Sequence, residues 1–71
     1  MEHLSKTIAI KDEDHGRNVL TNVKVSTWGE GEAPVTTIRF GNSLCISMNL
    51  EDLKKLSDLL VEAENTMVEN A

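Results

Sequence analysis

The chain has 71 residues and a formal net charge of −5, from twelve acids against seven bases. That length makes one domain, and the negative balance opposes strong nonspecific binding to nucleic acid or an anionic membrane, since phosphate neutralisation needs clustered Lys and Arg. A hydrophobic content of 39% with 27% charged residues fits a folded domain rather than a disordered one.

A compact chain of this mass should expose about 4,400 Å² once folded, of roughly 11,000 Å² unfolded. So small a core raises the question of a staple. The single cysteine, Cys45, permits no internal disulfide. Self-association is the remaining support.

Residues 4–10 place Leu4, Ile8 and Ile10 on one side at even spacing, a short strand weakened by Lys6 on the same side. The segment Met1-Glu2-His3-Leu4-Ser5-Lys6 lacks the basic segment and apolar run of a secretory signal, and no apolar run approaches the ~20 residues of a membrane span. With the lone cysteine, this gives an expectation of a cytoplasmic protein. Residues 11–18 are charged around Gly16 and read as a loop or hairpin tip.

Residues 19–28 alternate. Val19, Thr21, Val23, Val25 and Thr27 share one side; Leu20, Asn22, Lys24, Ser26 and Trp28 share the other. The loop from Gly29 to Pro34 ends that strand. Residues 35–40 form the next, with Ile38 and Phe40 on one face. Gly41, Asn42 and Ser43 turn it into residues 44–48, where Leu44, Ile46 and Met48 continue the apolar face and Cys45 falls on the opposite one.

Asn49 is a preferred N-cap, with Glu51 and Asp52 placing negative charge in the first helical turn. Leu53, Leu56, Leu60, Ala63 and Met67 then recur at spacings of three and four, widened by Leu50 and Leu59, while Lys54, Lys55, Asp58, Glu62 and Glu64 fall mostly on the wet side. No base follows Lys55, which the helix dipole disfavours, so the helix is expected over about 50–67 with a frayed end. The stripe resembles a heptad for only two repeats, too few for a coiled coil.

The fold expected is α+β: a three- to four-stranded antiparallel sheet followed by one C-terminal amphipathic helix. One helix covers one face of a sheet. With Val19, Val23 and Val25 read as a second, partly apolar side, the sequence predicts a homo-oligomer, a dimer or higher.

The residues offer little chemistry. A calcium loop counted from Asp12 puts Gly16 at its fifth position and Val23 at its twelfth, which fails. His3, His15 and Cys45 lack ligand spacing, so no metal or cofactor is expected. No nucleophile elbow or phosphate loop is present, and the acids of Gly29-Glu30-Gly31-Glu32 would repel phosphate. No catalytic residue is assigned. Cys45, on the strand face opposite Leu44 and Ile46, is exposed, at an oligomer interface, or a buried or half-buried thiol as free cysteines often are.

Trp28 stands at a strand end, where an indole either closes the rim of the core or offers a stacking surface. Lys24 lies on its side of the strand, Arg39 on the neighbouring strand can join them, and Arg17 with His15 lies toward the strand's other end. Arg17, Lys24, Trp28 and Arg39 are the candidate ligand-binding set.

The segment Leu44-Cys45-Ile46-Ser47-Met48-Asn49-Leu50-Glu51-Asp52-Leu53 resembles the last strand and helix start of single-strand DNA binders of the transcriptional-coactivator type. The resemblance covers about a third of the chain and implies a curved antiparallel sheet, a C-terminal helix and a dimer. Those binders carry several basic and aromatic residues on the sheet, where this chain offers Lys24, Trp28, Arg39 and Phe40.

The function expected is a non-enzymatic binding module, an inhibitor, decoy or sequestering protein for a protein partner or small anionic, nucleotide-like ligand. The alternative is a single-stranded nucleic-acid-binding dimer using the sheet face.

Overall fold

The computed structural model describes residues 2–13, 19–29 and 33–71. Four strands, β1 (Glu2–Asp12), β2 (Val19–Trp28), β3 (Val35–Phe40) and β4 (Leu44–Met48), precede one helix, α1 (Leu50–Glu69). The strands form one antiparallel sheet in the order β1-β2-β3-β4. This is the α+β arrangement expected from the sequence.

Two elements run longer than expected. β1 extends beyond residues 4–10 because its pairing with β2 continues from Asp12 opposite Val19 to Glu2 opposite Trp28, with an irregularity between Glu2 and Leu4. The helix passes residue 67 and ends at Glu69, where the Asn70 side-chain amide donates to the Thr66 carbonyl at 2.8 Å and the Asn70 backbone N–H donates to the same oxygen. That cap supplies at the C-terminus what a basic residue would have supplied. At the other end the Asn49 side chain accepts from the Asp52 amide at 2.9 Å, the expected N-cap.

The register sorts side chains into two unlike faces. On one, rows run across all four strands: Leu4–Thr27–Thr36–Met48, Lys6–Val25–Ile38–Ile46 and Ile8–Val23–Phe40–Leu44. On the other lie Ser5–Ser26–Thr37–Ser47 and Thr7–Lys24–Arg39–Cys45. Val19, Val23 and Val25 therefore do not make a second apolar side, as the strand read alone suggested. They join Ile38, Phe40 and Ile46 on the same apolar face, because pairing puts Val25 opposite Ile38 and Val23 opposite Phe40.

The helix lies against the sheet mainly at β3, and only Leu53 and Leu56 along it are even half-buried. Among the described residues Val23 is the one buried apolar side chain. Leu4, Ile8, Ile10, Leu44 and Ile46 on the sheet stay exposed, as do Leu59, Leu60, Val61, Met67 and Val68 on the helix.

The chain is correspondingly open. Its surface is 6,065 Å², against about 4,400 Å² for a compact chain of this mass. Its radius of gyration is 14.4 Å, against about 11 Å for a compact domain of 71 residues. No helix is long and apolar enough to cross a membrane.

Candidate functional site

The polar face is built by alternation. Every second residue of β2 from Asn22 to Trp28 turns away from the apolar rows, and the register aligns Arg39 with Lys24 and Thr37 with Ser26. Lys24, Ser26, Trp28, Thr37 and Arg39 enclose a shallow depression of about 210 Å³. Ser26 is its buried floor and Trp28, 46% exposed, stands as one wall. Thr37 is fixed by a 2.8 Å hydrogen bond between its hydroxyl and that of Ser47 on β4.

Lys24 and Arg39 are directly opposed across the β2–β3 ladder. Side chains so placed spring from Cβ atoms about 5 Å apart, and like charges there repel. Ser5, Thr7, Ala9 and Lys11 on β1, and Cys45 and Ser47 on β4, share this face, and the acid Glu2 pairs with Trp28 at the far end of β1. Neither cation has an ion-pair partner among the described residues, whose ion pairs are Lys11–Glu13 at 3.7 Å and Lys55 with Glu51 and Asp52 at 3.9 and 3.6 Å. The chain's acids lie in its loops, at the two ends of β1 and on the helix. An acidic protein thus presents a basic patch on one face.

Of the four candidate residues, the structure brings Lys24, Trp28 and Arg39 together; Arg17 lies outside the described residues. Trp28 is not a rim residue of the core, since its strand parity takes it to the face opposite Val23 and Val25. Phe40 is on the apolar face, opposite Val23, so it cannot share a ligand with Trp28. Ser26 and Thr37 belong to the site and were not singled out in the sequence. Their positions midway between Lys24 and Trp28, and two residues before Arg39, were the signal.

Cys45 is exposed, one of the placements the sequence leaves open, because no element covers the polar face at β4. It pairs with Arg39 and lines a second depression of about 210 Å³ with Arg39, Asn42, Ser43 and Leu44. Arg39 therefore stands between two hollows. A wider groove, lined by Ile10, Lys11, Asp12, Glu13, Thr21 and Phe40, has one lysine, already paired with Glu13.

Among the described residues no three of His, Cys, Asp or Glu come close enough to hold a metal ion. The arrangement can attract an anion, offer it hydroxyl donors and stack a planar group. No family model, curated protein or solved structure matches the chain.

Proposed function

We propose that this protein is a non-enzymatic, homo-oligomeric binding module whose polar sheet face takes a small nucleotide-like anion. The observation that carries this reading is the opposed pair Lys24 and Arg39, two cations held side by side beside Trp28 with no ion-pair partner among the described residues. Their repulsion raises the energy of the empty face, and a bound phosphate relieves it. Trp28 then stacks the attached base or other planar group.

A short ligand fits better than a long nucleic-acid strand. The depression is smaller than the ~300–1,000 Å³ of a typical enclosing small-molecule pocket, so it cradles part of a ligand. Trp28 is the one aromatic side chain on this face, since Phe40 lies on the other, and strand binders stack successive bases on several aromatics. Such a module acts by sequestering its ligand or occupying another protein's site. Its exposed thiol suits a reducing compartment, which supports the cytoplasm.

Trp28 is the only tryptophan, so its fluorescence reports the site directly. Titration with a nucleoside monophosphate should quench it, with affinity lost at least tenfold in Arg39→Ala and Lys24→Ala, since charge-assisted phosphate contacts contribute about 1.5–3 kcal/mol each. Salt separates this reading from the alternative. An oligothymidylate engaging only two cations per chain has a log–log salt slope of about −1.4, and of about −3 when it spans two copies. Steep salt dependence with no mononucleotide quenching would transfer the assignment to single-stranded nucleic acid. No quenching by either ligand refutes both.

A further inference from the structure

The apolar sheet face carries one cation, Lys6, and Glu64, grouped by the stripe's spacing with the wet side of the helix, in fact stands among its apolar residues. We infer that these two pair between copies of the chain, Lys6 of each protomer against Glu64 of the other, across an interface that joins sheet face to helix. This rests on the oligomeric part of the proposed function and names its contact.

Lys6 lies between Leu4 and Ile8 on its own strand and opposite Val25, at the end of the row Val25–Ile38–Ile46. A charge in the middle of such a surface is either a local error or a mark of what covers it. Glu64 is its counterpart. Its neighbours three and four residues away on the helix are Leu60, Val61, Met67 and Val68, all apolar and all more than half exposed. No other acid of the helix is so placed: Asp58 has Lys54, Lys55 and Glu62 among those neighbours, Glu62 has Asp58, Asn65 and Thr66, and Glu51 and Asp52 pair with Lys55. Neither Lys6 nor Glu64 has an ion-pair partner among the described residues. Within one chain the helix packs mainly on β3, two strands from Lys6.

The occupant is a second copy for reasons of area and charge. Each chain exposes about 1,700 Å² more than a compact chain of its size. Two copies hiding that excess from one another bury about 3,300 Å², within the range of obligate homodimers. The helix carries six acids against two lysines, while the four strands carry four bases, Lys6, Lys11, Lys24 and Arg39, against two acids, Glu2 and Asp12, at the ends of β1. A two-fold axis makes the contact reciprocal, so each substitution is felt twice.

Sedimentation velocity on the full chain, with far-UV circular dichroism to follow folding, tests the pair. The parent should sediment as a dimer. Lys6→Glu and Glu64→Lys should each weaken dimerisation by at least about tenfold, and the exchange Lys6→Glu/Glu64→Lys should bring it back to within about threefold of the parent. The apolar replacement Lys6→Met/Glu64→Leu should keep the dimer, since a desolvated pair exchanged for packed apolar groups is often neutral or better. If a single reversal unfolds the chain, recovery of the folded signal in the exchange variant supports the pair equally. A dimer that neither single variant weakens, or an exchange that restores nothing, overturns the pair and leaves the oligomer standing. A parent monomeric at about 100 μM removes both.

Discussion

Gly29 shows how one residue sets the candidate site. Its φ of +147° is a backbone that side chains rarely adopt, and a Cβ built there would stand 3.0 Å from the Pro34 Cα. That conformation ends β2 immediately after Trp28 and aims the Gly29 carbonyl at β1, where the His3 ring donates to it from Nε2 at 2.7 Å. The indole is thereby held at the rim of the polar face. Gly41, at φ +57°, provides a control, because a Cβ there meets only the Thr21 methyl at 3.9 Å. Gly41→Ala should cost only the left-handed backbone penalty, about 1–2 kcal/mol. Gly29→Ala adds a clash with backbone and should cost more, about 2–4 kcal/mol. Urea midpoints of the two variants compare them directly, and an equal or smaller loss at Gly29 would show that the 29–34 segment yields freely.

At the scale of elements, alternation within a strand was legible and register between strands was not. The two sets of β2 could be sorted by counting, and parity alone placed Cys45 away from Leu44 and Ile46. Nothing in the sequence said that Arg39 would stand opposite Lys24 rather than Asn22. That depends on the geometry of a six-residue connection between β2 and β3, and a slip of one residue would have turned Arg39 to the apolar face. The same gap made the valines of β2 look like a separate apolar side. The helix is the converse case: its stripe was plain, but how little of it the chain's own sheet would cover was not. Leu60 measures the difference. It is 60% exposed in the protomer, so Leu60→Ala in a monomer should cost under about 0.5 kcal/mol. Buried between copies it should cost about 2–4 kcal/mol, as read from urea unfolding at fixed protein concentration. A loss under about 0.5 kcal/mol would place this stretch of the helix in solvent.

The whole molecule puts unlike chemistry on its two sheet faces, and that division links binding to association. The polar rows need no cover, since Lys24, Arg39 and the hydroxyls of Ser5, Thr37 and Ser47 are at home in water. The apolar rows do, and one buried valine cannot hold a four-stranded sheet and a twenty-residue helix together. Folding and pairing are then one event, with the polar faces left outward on both copies. A monomer that unfolds alone has a melting temperature independent of its concentration; a dimer that dissociates as it unfolds gains stability by mass action. Each tenfold rise in protein concentration contributes about 1.4 kcal/mol to the folded dimer. With an unfolding entropy of about 2.1 cal/mol/K per residue over two chains, the melting temperature should climb by about 4–5 °C per tenfold. Calorimetry or circular dichroism from about 5 to 500 μM spans two such steps. A flat melting temperature across that range would mean that the open apolar face is stable in water, contrary to the area it exposes.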